Sequence, residues 1–110
     1  MNLVPSAYAK IEAGTKTIEL RLNDEKRQKI SVGDEIVFTN SVKTNLSLRC
    51  RVIALHKFSS FKELYENLPL LKCGYTHNDI STATPDDMDV YYSKQAQEVY
   101  GVIGIEIELI

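Results

Sequence analysis

Hydrophobic residues recur along this chain with two different periods, and the switches between them divide it into elements. From Leu3 to Gly14, Val4, Tyr8 and Ile11 share one helical face, Pro5 suits a first turn and Gly14 supplies a left-handed exit, so a short helix is predicted. Thr17–Leu22 then alternates strictly. Ile18, Leu20 and Leu22 point one way and Thr17, Glu19 and Arg21 the other, which predicts a half-buried strand. Asn23–Lys29 has no apolar face and reads as a solvated turn. Ser31-Val32-Gly33-Asp34 leads into a second strand over Glu35–Asn40. A third and longer strand runs from Leu46 to Phe58. It places Leu46, Leu48, Cys50, Val52 and Ala54 on one face, with Ser47, Arg49, Arg51 and Ile53 on the other.

Ser60-Phe61-Lys62-Glu63 has capping-box spacing ahead of Leu64, Tyr65 and Leu68 on a helical face, and Pro69 ends that helix. Residues 70–83 read as a loop carrying Gly74, Tyr75, His77 and Asn78. Thr84-Pro85-Asp86-Asp87 marks another helix start, from which Met88, Tyr91 and Tyr92 are expected to face inward. Tyr100–Ile110 is a closing strand with Ile103, Ile105, Ile107 and Leu109 on one face and Glu106 and Glu108 in water. Strands of mixed spacing with two or three short helices predict a small barrel-like α+β domain spanning residues 1–110, without repeats or a linker.

Composition narrows the function classes. At 44% hydrophobic and 25% charged residues, a 110-residue chain supports one core without metal or disulfide help. A net charge of -2 argues against a protein that coats duplex nucleic acid by counterion release. Cys50 and Cys73 belong to no ligand or disulfide pattern and are expected to be free thiols, with Cys50 in the core. His56 and His77 lack metal-ligand spacing, so no metal and no cofactor is expected. No apolar run approaches the ~20 residues of a membrane span, and the first residues lack a signal-peptide pattern, so a cytoplasmic protein without a membrane partner is the expectation.

The most informative stretch is Gly14-Thr15-Lys16-Thr17-Ile18-Glu19-Leu20-Arg21 followed by Val32-Gly33-Asp34 and a strand. It resembles the ASCH domain (activating signal cointegrator homology), whose pattern is Gly-x-Lys-x-x-Glu-x-Arg, a short gap, then Val-Gly-Asp. Tyr91-Tyr92-Ser93-Lys94 and Tyr100-Gly101-Val102-Ile103-Gly104-Ile105 also resemble the small stand-alone bacterial members, so the likeness covers nearly the whole chain. The resemblance implies a PUA-like mixed β-barrel, a cleft beside the lysine-bearing loop, and binding of RNA or action on RNA-derived nucleosides.

The chemistry of the motif agrees with that expectation. Lys16 at the mouth of a strand and Arg21 on its polar face can engage phosphate or a base edge, while Glu19 can accept from a base amino group. Arg49 and Tyr92 are expected on the opposite wall, and Tyr75 on the loop is suited to stack on a base. The leading reading is therefore an RNA- or modified-nucleotide-binding domain, with single-stranded RNA as the partner class. A second is a metal-independent hydrolase, either a ribonuclease or a nucleoside amidohydrolase, with Lys16 and Glu19 as the proton-transfer pair and Tyr92, His56 and His77 as further nominal groups. Acetylcytidine amidohydrolases of this family carry a threonine nucleophile three residues after the lysine, where this chain has Glu19. A third reading is a protein-interaction module that uses an open barrel edge.

Overall fold

The computed structural model describes residues 1–110 throughout and contains five strands and three α-helices, joined by short 3₁₀ turns. In chain order these are β1 (Asn2–Leu3), α1 (Pro5–Glu12), β2 (Ile18–Leu22), β3 (Glu35–Asn40), β4 (Ser47–Phe58), α2 (Phe61–Asn67), α3 (Lys94–Tyr100) and β5 (Val102–Leu109). The 3₁₀ turns cover Arg27–Lys29, Leu70–Cys73, Ile80–Thr82 and Pro85–Val90. The strands form one sheet in the order β1-β3-β4-β5-β2, antiparallel except where β1 runs parallel to β3. The sheet curls into a half-barrel, which is the α+β, PUA-like architecture anticipated above.

Strand β4 explains the curl. Its first residues pair with β3 and its remaining length pairs with β5, with a register shift between Val52 and Ala54. An extra residue in one strand bends it and adds local twist. The bulge also resets the alternation, so the face assignment holds through Cys50 and Val52, both fully buried, and then lapses. Leu46 at the start of the alternating run and Leu109 at its partner strand's end are exposed, contrary to expectation, because they lie where pairing runs out.

Two cores lie on opposite sides of the sheet. Tyr8 and Ile11 of α1 pack on Ile36, Phe38, Cys50, Val52, Ile103, Ile105 and Ile107. On the other side, Ile18, Leu20, Leu22 and Val102 meet Phe61 and Leu64 of α2 together with Cys73 and Met88. Strands β2 and β5 are therefore covered on both faces. Gly104 is what permits this: a Cβ there would lie 2.7 Å from Leu68 Cδ1 and 3.2 Å from Ile18 Cγ2. Serine 60 caps α2 by accepting from the Glu63 N–H, as its spacing predicted, but the Glu63 carboxylate turns to the Ser59 hydroxyl instead of closing the box. Thr84 and Asp87 do form a reciprocal capping box at Pro85.

Candidate functional site

The strand β2 alternation is kept, with one consequence that period-two reasoning misplaced. Ile18, Leu20 and Leu22 enter the α2-side core, yet Glu19 on the opposite face is only 4% exposed rather than solvated. Its burial follows from what flanks it. Lys16 Nζ lies 2.7 Å from Glu19 Oε1, and Arg21 reaches Oε2 through Nη2 at 2.8 Å and Nε at 2.9 Å. Both carboxylate oxygens thus face a cation, which is the condition for tolerating a buried charge. Arg21 Nη2 also donates to the Asn2 carbonyl at 2.8 Å, tying β2 to the start of the chain.

Lys16 is held by its backbone as well as by Glu19. The loop after α1 is pinned where the N–H groups of Thr15 and Lys16 donate to the Lys10 carbonyl, and where Thr17 N–H donates to the Lys72 carbonyl. The lysine stem lies against Gly74, whose φ of +109° and missing side chain leave room for it: a Cβ there would sit 3.2 Å from Lys16 Cδ. Lys10 Nζ donates to the Gly74 carbonyl at 2.8 Å, joining α1 to the same turn.

These groups lie at one side of a cleft of about 400 Å³ between α1, β2 and the segment from Cys73 to Tyr92. That volume falls within the range of roughly 300–1,000 Å³ occupied by small-molecule sites. The lining carries Lys10, Lys16 and Arg21 together with the carboxylates of Glu19, Asp79 and Asp87, so its charges balance. The aromatic part of the lining comes from Tyr65, Tyr75, Tyr91 and Tyr92. Tyr92 stacks on Phe61 with ring centroids 6.2 Å apart, and its carbonyl accepts from the buried Gln97 amide, which also donates to Asp89. Tyr91, expected inward, is 62% exposed at the rim, because the 3₁₀ turn ending at Val90 sends successive tyrosines in different directions.

A hydrogen-bond chain crosses the far wall. Tyr65 Oη and Tyr75 Oη are 2.6 Å apart, and Tyr75 donates to Asp87 Oδ2 at 2.8 Å. Burial pushes both phenols above their ordinary range, and Tyr75 is raised further by its bonds to Tyr65 and Asp87. Tyr92 is likewise raised by burial. Cys73, a free thiol as expected and part of the lining, is pushed up to about 11 by burial, with Lys16 opposing the rise and Glu19 adding to it. It is a protonated thiol at neutral pH.

Of the residues singled out in the sequence, Lys16, Glu19, Arg21, Tyr75 and Tyr92 all reach this cleft. Arg49 does not. It lies on the outward face of β4, 61% exposed and 2.9 Å from Glu35, since its neighbour Cys50 occupies the inward face. His56 pairs with Glu106 at 2.9 Å on the sheet and His77 is exposed on its loop, so neither lines the cleft. No group of three histidine, cysteine or carboxylate side chains is arranged to hold a metal, and no helix is long and apolar enough to cross a membrane. Tyr65 and Asp87 escaped notice because the first fits a helix's apolar face and the second an N-terminal turn. Their meeting through Tyr75 depends on a contact between distant segments.

Comparison with known proteins gives a consistent picture. The family model of the ASCH domain matches residues 1–110, the whole chain. The crystal structure of hypothetical protein PH0355 is similar at 31% identity, with a TM-score of 0.79 over 100% of this chain and 96% of that one. The solution NMR structure of protein PF0455 from Pyrococcus furiosus is similar at 28% identity, with a TM-score of 0.70 over 100% of this chain and 98% of its own. No curated protein matches the sequence.

Proposed function

This chain belongs to the ASCH domain family, usually RNA-binding, and from that premise we propose that it binds RNA or a modified nucleotide in the cleft around Lys16, Glu19 and Arg21. The observation that carries the reading is the buried Glu19 gripped by two cations at the cleft. Fold stability does not call for such a triad, since apolar side chains of similar volume commonly hold a structure as well or better. Polar groups converging on a cavity are what ligand recognition calls for.

The roles follow from hydrogen-bond capacity. The Lys16 ammonium has three donors and one is directed at Glu19, leaving donors for a phosphate or carbonyl oxygen. Glu19 retains lone pairs to accept from a base amino group. Arg21, engaged with Glu19 and the Asn2 carbonyl, orients that carboxylate. Tyr92 and Tyr75 supply aromatic surface to the cleft, linked to each other through Phe61 and Tyr65.

One observation favours a hydrolytic reading as the second choice. Lys16 and Glu19 are 2.7 Å apart in the cleft, close enough to act as a pair: Glu19 would take a proton from the attacking hydroxyl or water, and the ammonium would return one to the leaving oxygen or nitrogen. Fluorescence anisotropy of labelled single-stranded RNA, at two salt concentrations and followed by a denaturing gel, separates the two. Binding predicts intact RNA and, for Lys16→Ala, weaker affinity with a salt slope smaller by about 1. Lys16-dependent shortening would instead establish the hydrolase. Absence of both binding and cleavage would refute a polynucleotide ligand.

A further inference from the structure

The direction of the protons along Tyr65, Tyr75 and Asp87 is fixed by the carboxylate at its end. An ionised carboxylate only accepts, so the Tyr75 hydroxyl must point its proton at Asp87 Oδ2, 2.8 Å away. Tyr75 then has only lone pairs to offer Tyr65, and the 2.6 Å contact is a bond donated by Tyr65. Both hydroxyl protons are consumed inside the wall. Asp87 Oδ2 also accepts from the Thr84 N–H at 3.2 Å, which leaves Oδ1 unengaged. What this wall presents to the cleft is lone pairs alone.

The other side is the reverse. Lys10, Lys16 and Arg21 bring N–H donors to the same cavity, and the one carboxylate among them, Glu19, spends three of its about four acceptor sites on two of them. The cleft is therefore polarised, with donors along α1 and β2 and acceptors along the 65–75–87 wall.

Resting on the nucleotide-binding reading above, we infer that Tyr75 and Asp87 form an acceptor-only specificity wall that selects bases bearing an exocyclic amino group over those with a carbonyl in its place. A keto oxygen against this wall would put lone pair against lone pair and leave acceptors that the bound base shields from water unpaired, whereas an amino group satisfies them. The wall cannot readjust to a keto base by rotating a hydroxyl. Reversing Tyr75 would cost Asp87 Oδ2 the shorter of its two bonds and leave it only the 3.2 Å bond from the Thr84 N–H, and burial together with these bonds keeps both phenols protonated.

The test is a comparison of short homopolymers in matched pairs, oligo(C) against oligo(U) and oligo(A) against oligo(I), in each of which a keto oxygen replaces the amino group and the adjacent ring nitrogen gains a hydrogen. Wild type is expected to prefer the amino member of each pair by about tenfold. Asp87→Asn keeps the shape but adds an N–H₂ donor, and is expected to bring the ratio to about one or invert it. Tyr75→Phe, which breaks the chain without charge change, provides the same reading should the first variant fold poorly, as judged by circular dichroism. Equal affinity across each pair in wild type, with binding still lost in Lys16→Ala, would overturn the specificity wall while leaving nucleotide binding standing. An amino preference that survives both variants would overturn the assignment to these residues. No binding of any homopolymer would remove the nucleotide reading and this inference with it.

Discussion

Replacing Glu19 by Gln tests the central electrostatic claim without changing side-chain shape. In the wild type each carboxylate oxygen faces a cation, with side-chain exposure of 11% for Lys16, 15% for Arg21 and 5% for Glu19. At the contact distance of 2.7 Å, Coulomb attraction at an effective dielectric of about 20 is roughly 6 kcal/mol for one pair, most of it offset by desolvation of the three groups. The variant loses the attraction but not the cost of burying Lys16 and Arg21, and it sets the new N–H₂ against one of them. Breaking a buried pair by removing one partner costs about 3–5 kcal/mol. Because both cations retain some water, we expect about 2–4 kcal/mol here. For a domain of this size that corresponds to a fall in Tm of at least about 10 °C, measurable by circular dichroism melting or urea denaturation. The triple variant Lys16→Met, Glu19→Leu, Arg21→Met removes all three charges together and should recover most of the lost stability while abolishing RNA binding. A Glu19→Gln protein within about 0.5 kcal/mol of wild type would refute the stranded-charge argument, because surface substitutions fall in that range. A triple variant as unstable as the single one would locate the effect in packing instead.

Three further outcomes are expected. Gly104→Ala should destabilise the fold by about 1–3 kcal/mol in urea titration, because its Cβ has no room between Leu68 and Ile18; a neutral result would mean that the close approach across β5 relaxes freely. Arg49→Ala should leave RNA affinity unchanged and stability within about 1 kcal/mol, its ion pair with Glu35 being solvent-exposed, and a binding loss comparable to that of Lys16→Ala would contradict the placement of the cleft. Stability should fall as pH rises from 9 to 11: Cys73 binds its proton more tightly folded than unfolded, and between its ordinary 9.0 and about 11 the folded state holds the extra proton. The buried phenols of Tyr65, Tyr75 and Tyr92 act in the same direction above pH 10. Chemical denaturation across that interval that showed rising stability would refute the burial of these groups.

Period and propensity alone determined most of the architecture. Strand β3 runs over the very residues its composition predicted, β2, β4 and β5 differ from expectation by a residue or two at their ends, and the caps at Ser60 and Thr84 lie where their spacing put them. Those signals are local, so they survive whatever the rest of the chain does. The short β1 carries too few residues for any period, and α3 is seven residues long with Gln97 as its buried residue, so no run of apolar core positions announces it. The Gly-x-Lys-x-x-Glu-x-Arg spacing likewise placed Lys16, Glu19 and Arg21 in one group, because a strand and the loop feeding it keep such neighbours together. Tertiary structure alone decided that Glu19 is buried rather than solvated, since alternation separates two faces without saying that both will be covered. It also decided that Arg49 leaves the cleft and that Tyr65, Tyr75 and Asp87 join in one wall. Those outcomes depend on which face of β4 turns inward and on segments up to 22 residues apart joining in one wall, as Tyr65 and Asp87 do through Tyr75, and no local pattern encodes contacts at that separation.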